Sequence, residues 1–133
     1  MASKEGVTMS IGQKFDNGKL EMAEFFSQFP KSLKGLCTVA QYGKIKYGEG
    51  NGNVNFKEVP DAKKRYKDAM VRHMMDYLNG EFIDSESQCP HLFHLLWNVG
   101  ALIELDATAI AFDIQKALDP KRIKDLTKRK FKL

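Results

Sequence analysis

Three polar side chains, His91, His94 and Asn98, interrupt a stretch that is otherwise apolar from Leu92 to Leu105. Their spacing, i, i+3 and i+7, puts all three on one stripe of a helix. The remaining residues (Leu92, Phe93, Leu95, Leu96, Trp97, Val99, Ala101, Leu102, Ile103, Leu105) leave that helix apolar almost all round, the profile of an element at the centre of a bundle. A buried polar stripe has to find partners, whether metal, ligand or matched side chains. Two histidines one turn apart can share a metal ion, and His73, on the core-facing side of the preceding helix, offers a third imidazole. For any one of these residues a hydrogen-bonded core histidine is the bland alternative. The three together point to a site.

The connection before this helix adds Glu81, Asp84 and Glu86 within six residues. Clustered carboxylates suit magnesium or manganese, which take oxygen ligands and accompany triphosphates. The alternative is a solvated acidic turn that favours the helix N-terminus through its dipole. Upstream, Arg65, Asp68, Arg72 and Asp76 follow one another at spacings of 3, 4 and 4. They read either as an exposed ladder of ion pairs or as a frame that turns Arg72 toward phosphate oxygens. Lys14, Lys19, Lys44 and Lys46 are further phosphate candidates. No GxxxxGK[ST], GxSxG or HExxH occurs, which removes a Walker-type phosphate loop, a serine hydrolase elbow and a zinc protease helix.

The elements that must position these groups are helical. Residues 1–13 carry no periodic pattern and read as a flexible lead-in. Asp16-Asn17-Gly18 is turn chemistry between Lys14 and Lys19. A short helix is expected from Leu20 to Phe29, stopped by Pro30. Ser32 is placed to cap a second, running to about Tyr47 with Leu33, Leu36, Cys37, Ala40 and Tyr47 on its inner face. Gly48 to Asn53 forms a glycine-asparagine loop, continuing irregularly through Asn55 and Phe56 to Pro60. The third helix, Asp61 to Asn79, repeats Ala62, Tyr66, Ala69, Met70, His73, Met74, Tyr77 and Leu78 at helical spacing, with Gly80 just past its end. The fourth begins after Pro90 and is expected to pass Ile110 toward Leu118, where Asp119-Pro120 stops it. The fold class is all-α, a compact bundle of about four helices spanning 14–118, with a basic tail over 119–133.

Composition narrows the setting. The chain has 133 residues, 43% hydrophobic and 29% charged, with a formal net charge of +4. No stretch approaches a membrane span, and MASKEGVTMS lacks the apolar core of a signal peptide. Cys37 and Cys89 are too isolated for a disulfide framework or a CxxC zinc site and read as reduced thiols of a cytoplasmic protein. From Pro120 to Leu133 seven basic side chains face one acid, Asp125, so the positive charge belongs to the tail and the body before it is slightly acidic. A membrane is not an expected partner, and nucleic acid is not expected to bind the folded body.

Taken in order, KFDNGK, YGKIKYG, the Asn55-Phe56 pair, RYKDAMVRH, GEFIDSES and PHLFHLLWN resemble the N-terminal domain family of phage dATP/dGTP diphosphohydrolases. These are MazZ-type enzymes related to the MazG pyrophosphohydrolases. The resemblance runs from about Lys14 to Asp106 and is most specific between Arg72 and Asn98. It implies an all-α, MazG-like, metal-dependent enzyme of the host cytoplasm that cuts dGTP or dATP into dNMP and pyrophosphate with Mg²⁺ or Mn²⁺, working as a homo-oligomer. By motif it marks site candidates without assigning their roles, and among them we take Arg72, His73, His94 and Glu86 as the catalytic candidates. Glu81, Asp84, Glu86, His91 and His94 become metal-ligand candidates. Lys14, Asp16, Lys19, Lys46, Tyr47, Asn55, Phe56 and Asn98 become substrate-binding candidates. Two departures stand out: Phe56 occupies a position where the family usually has Trp, and Glu21 with Glu24 supply ExxE while no ExxD lies on the later helices. The other function class compatible with the sequence is a phage interaction or inhibitor protein built on the same scaffold.

Overall fold

The computed structural model describes residues 12–48 and 55–130, and these divide into two units. The larger, Met22–Phe112, holds every element around the polar stripe; the smaller joins the two chain ends, Met1–Glu21 and Asp113–Leu133. The expected lead-in up to residue 11, most of the glycine-asparagine loop (49–54) and the last three residues of the tail lie outside the described residues.

In the larger unit the helices are α1 (Met22–Ser27), α2 (Pro30–Tyr47), α3 (Ala62–Leu78), α4 (His91–Leu105) and the short α5 (Ala107–Ile110), with a 3-10 turn at Phe56–Glu58. The smaller unit contributes α6 (Ile114–Ala117) and α7 (Pro120–Lys130). All regular structure among the described residues is helical apart from one isolated β-bridge, between Ile83 and Pro90. The fold is all-α, as the periodicity required.

Helix α4 packs on both α2 and α3 and is the centre of the unit. Its orientation is unusual. The residues it buries are His91, His94, Asn98 and Ala101, while Leu92, Leu96, Val99 and Ile103 stay exposed along the other side. An apolar helix has thus turned its one polar stripe inward. The inner face of α2 also differs from the expected one. Leu33 and Leu36 are half-buried as expected, but Cys37, Ala40 and Tyr47 are exposed, and the buried positions are Gly35 and Val39. The reason is close approach: a methyl built on Gly35 would stand 2.5–2.7 Å from ring carbons of Phe93 on α4. A glycine at the contact lets the helices meet where larger residues would hold them apart.

Two boundaries move for local reasons. Pro30 does not stop a helix but starts α2, occupying the first turn where its missing N–H is not needed. Helix α4 stops at Leu105 instead of running to Leu118, because Asp106 leaves the helical conformation and caps α5, its Oδ1 accepting from Thr108 N at 2.9 Å and from the Thr108 hydroxyl at 2.6 Å. Asp113 caps α6 in the same way, accepting from Lys116 N at 3.2 Å. The basic segment from Pro120 is itself helical, with Asp119 accepting from Lys121 N at 3.0 Å.

Gly35→Ala tests the α2–α4 contact. Alanine is the better helix former by roughly 1 kcal/mol, yet overpacking against the Phe93 ring is expected to lower unfolding stability by about 1–3 kcal/mol. Chemical denaturation checks this, and a variant as stable as the parent would show that the contact is not tight.

Candidate functional site

Two turns of backbone bring the site together. At the end of α3, Gly80 takes a φ of 90°, its N–H donates to Tyr77 O (3.0 Å), and Glu81 N donates to Asp76 O (2.9 Å). This pair of bonds is the glycine-terminated cap that reverses the chain over the last turn of a helix. It folds Glu81 back beside Asp76. The connection then closes on itself: His91 N donates to Phe82 O (2.8 Å), Asp84 N to Cys89 O (2.8 Å), and Gln88, at a φ of 59°, donates its N–H to Asp84 O (2.8 Å). Asp84 and Ser87 are thereby held over the first turn of α4, within reach of His94.

Ser87 is the hub of that contact. Its Oγ lies 2.7 Å from Asp84 Oδ2 and 2.6 Å from His94 Nε2, and Cys89 N donates to it at 3.2 Å. Burial works to raise the Asp84 carboxyl, but the side-chain and backbone hydrogen bonds from Ser87 outweigh it and hold the group below its usual range, hence ionised at neutral pH. An ionised carboxylate only accepts, so the single hydroxyl proton of Ser87 goes to Asp84 and His94 donates from Nε2. That fixes the His94 tautomer and leaves Ser87 with every hydrogen-bonding capacity used. Serine is here a structural link, not a free nucleophile.

The three imidazoles sit together. His73 stacks on His94 with ring centroids 4.4 Å apart and planes 6° from parallel, and its Nδ1 lies 2.8 Å from His91 Nδ1. Burial first, then the neighbouring His94 and His91, push the His73 value down to about 4; burial also lowers His94, against the pull of Asp84. Both rings are neutral at pH 7. Asn98 completes the stripe by donating from Nδ2 to His94 O at 2.8 Å. His91 is 1% exposed, and its Nε2 is the buried side-chain nitrogen or oxygen left without a hydrogen-bond partner among the described residues. It faces Glu81 Oε1 at 3.6 Å and Asp76 Oδ2 at 3.9 Å.

The far end of α2 borders the same cluster. The Tyr42 ring meets His94 edge-on at 6.2 Å, and Lys46 pairs with Glu86, which holds the carboxyl of Glu86 below and the ammonium of Lys46 above their ordinary values. Lys46 also lies over the exposed Tyr47 ring at 5.1 Å. Arg72 is exposed on α3 beside His73. Asn55 and Phe56 have structural tasks: Asn55 Oδ1 accepts from Lys57 N at 2.9 Å, and the Phe56 ring packs on Tyr66 and Trp97 while its carbonyl accepts from the Tyr66 hydroxyl at 2.6 Å. Lys14, Asp16 and Lys19 belong to the smaller unit, where Lys19 N donates to Asp16 O at 3.1 Å in the turn around Gly18.

Asp76 and Tyr42 were not singled out as site residues from sequence, and Ser87 only as part of a matched motif. Asp76 follows His73 by three positions and precedes an Asn-Gly helix end by three, a signal that the chain returns over it.

The depressed His73 value has a consequence for stability. Between about 4 and the ordinary 6.5 the unfolded chain binds a proton that the folded one refuses, so stability falls as pH drops through that window. His94 adds in the same direction. Melting temperatures of metal-free protein are expected to decline from pH 6.5 to 4.5, with a shallower decline in His73→Gln; a flat profile in the parent protein would contradict the buried neutral cluster.

The sequence model of the family described as dATP/dGTP diphosphohydrolase, N-terminal, matches residues 9–115. No curated protein and no solved structure matches the chain. The matched span contains all three histidines, Asn98 and the acidic connection, and covers most of the sequence. The chain belongs to the dATP/dGTP diphosphohydrolase N-terminal domain family.

Proposed function

We propose that the protein hydrolyses a purine deoxynucleoside triphosphate, dGTP or dATP, to dNMP and pyrophosphate in a reaction that needs Mg²⁺ or Mn²⁺. Family membership supports the substrate class. The observation that carries the reading is the inward polar stripe: neutral His73 and His94 against ionised Asp84, bordered by Lys46 and Arg72. Burying such groups costs stability, and buried titratable groups set against a charged partner are concentrated at functional sites.

The implied ion has donors that fit it. Among the described residues two groups of three, His73–Asp84–His91 and Asp76–Glu81–His91, each bring their ligand atoms within 4.8 Å of one another. When bound, a divalent ion supplies positive charge to the phosphates and lowers the pKa of a water. The chain's own groups do the rest. Lys46 and Arg72 neutralise charge that grows on the phosphoryl oxygens as water adds to phosphorus and the bond to the pyrophosphate oxygen breaks. His94, whose Nδ1 keeps its lone pair while Nε2 donates to Ser87, takes the proton from the attacking water. Burial makes His94 a weak base, and an arriving triphosphate strengthens it because its negative charge favours the imidazolium. Ser87 and Asp84 keep His94 in one orientation throughout.

Self-association belongs to the same proposal. Leu92, Leu96, Val99 and Ile103 line one exposed side of α4, and Val71, Met75 and Leu78 one exposed side of α3. Among the described residues the buried apolar core is only Val39, Cys89 and Ala101. A second copy covering that side would bury what one chain leaves in water. The same stripe also favours the other reading, a protein-binding module without turnover.

Product analysis decides between them. Purified protein with Mg²⁺ or Mn²⁺ is expected to release pyrophosphate and dNMP from dGTP or dATP, to stop in EDTA, and to slow by tenfold to a hundredfold or more in His94→Ala, on the scale of lost supporting groups at metal sites. Undiminished activity in excess chelator, or normal turnover per folded molecule in His94→Ala, would remove metal or His94 from the mechanism. No turnover under any condition would favour the binding module. Sedimentation velocity is expected to show a dimer or larger that Leu96→Lys dissociates; a monomer at tens of micromolar would count against self-association.

A further inference from the structure

The two donor groups at His91 are not equivalent, and the hydrogen bonds separate them. In the His73–Asp84–His91 group every member already has a protein partner: the two Nδ1 atoms share a proton at 2.8 Å, and Asp84 accepts from Ser87 N and Oγ. The opposite edge of the His91 ring has none. Its Nε2 is buried, with the side chain 2% exposed, and aims at two carboxylates 3.6 and 3.9 Å away, too far for hydrogen bonds.

Those separations suit something between them. Donors each about 2.1 Å from one ion at tetrahedral angles stand about 3.4 Å apart. If Nε2 carries its lone pair, it faces two carboxylates with nothing positive between; if it carries a proton, that proton is unsatisfied. A cation on the Nε2 lone pair, with the ring proton held on Nδ1, removes the difficulty. The remaining ring atom fits as well. With Nε2 ligating, Nδ1 carries the proton and donates to His73 Nδ1, the kind of second contact that orients a metal-bound imidazole.

We infer that Asp76, Glu81 and His91 bind one divalent transition-metal ion, of the manganese, cobalt or zinc class, in the absence of nucleotide. The imidazole sets the class, because nitrogen ligands suit these ions and magnesium prefers an all-oxygen shell. Three protein donors, with Asp76 and Glu81 about half exposed, leave coordination positions open toward solvent, where water or a phosphate oxygen can enter. The glycine cap at Gly80 is what builds the site, since the Glu81 N to Asp76 O bond places the two carboxylate-bearing residues side by side. The ion's use in turnover rests on the hydrolase reading; its binding does not.

The test is a Mn²⁺ titration of the full chain, stripped with EDTA and dialysed, read without nucleotide from the loss of the free-ion electron paramagnetic resonance signal. One ion per chain is expected. Glu81→Gln and Asp76→Asn, both at partly exposed positions, should each weaken it at least tenfold, while Asp84→Asn should keep the affinity within about threefold. Circular dichroism of each variant shows that it is folded, which matters most for the buried His91→Ala. Zn²⁺ or Co²⁺ should displace the manganese, and a hundredfold excess of Mg²⁺ should not. Absence of binding, binding that survives Glu81→Gln and Asp76→Asn, loss in Asp84→Asn, or ready displacement by Mg²⁺ would each overturn the inference. Mn²⁺ binding without dNTP turnover would sink the hydrolase reading and leave this site standing.

Discussion

Burial of His91, His94 and Asn98, in positions where a helical bundle ordinarily buries leucine, is the constraint that shapes the larger unit. Each polar group withdrawn from water without a partner costs on the order of 1–3 kcal/mol, so the surroundings of α4 are arranged to supply partners. Asn98 donates to the His94 carbonyl, His94 to Ser87, Ser87 to Asp84, and His91 shares a proton with His73. One bond ties α3 directly to α4 at His73 and His91, a second set ties the connection to α4 at His94, and the stacked rings of His73 and His94 bring the two together. Among the described residues, His91 Nε2 is the fully buried side-chain nitrogen or oxygen that these bonds leave without a partner.

The connection from Gly80 to Pro90 follows from that constraint. A loose loop could not hold Asp84 and Ser87 within 3 Å of their partners, and this one does not have to. The glycine cap fixes how it leaves α3, the bonds between Phe82 and His91 and between Asp84 and Cys89 fix how it returns, and Gln88 takes a left-handed backbone to close the turn. Such preorganisation suits the hydrolysis proposed above, because positioning and fixed charge carry most phosphoryl-transfer chemistry. The outward leucines of α4 are the complement: turning the polar stripe inward leaves an apolar stripe on the other side.

Local signals in the sequence located most of this. The stripe at 91, 94 and 98, the placement of His73 on the inner face of α3, the helix end at Gly80 and the family resemblance are all legible in the residues alone. Three things are not. Helix periodicity does not say which face of an all-round apolar helix turns inward, so the exposure of Leu92, Leu96, Val99 and Ile103 was hidden. The glycine contact of α2 with Phe93 was hidden too, because an apolar-pattern reading assigns glycine no face and selects Cys37 and Ala40 instead. Asp106 and Asp113 carry cap chemistry in their sequence neighbours, but the apolar continuity past Leu105 outweighed it. Asp76 was hidden in plain sight among charges that read as an exposed ladder; only the returning backbone reveals what stands beside it.

The site depends most on His73 and His94 being neutral inside the folded protein, with His94 holding its proton on Nε2. Imidazole nitrogen-15 spectra of the metal-free protein at pH 7 read protonation and tautomer directly for each ring. The expected result is two neutral rings, His94 in the Nε2–H form because Ser87 accepts from it while donating to Asp84. An imidazolium at either position, or a His94 ring protonated on Nδ1 alone, would contradict the hydrogen-bond chain on which the site is built.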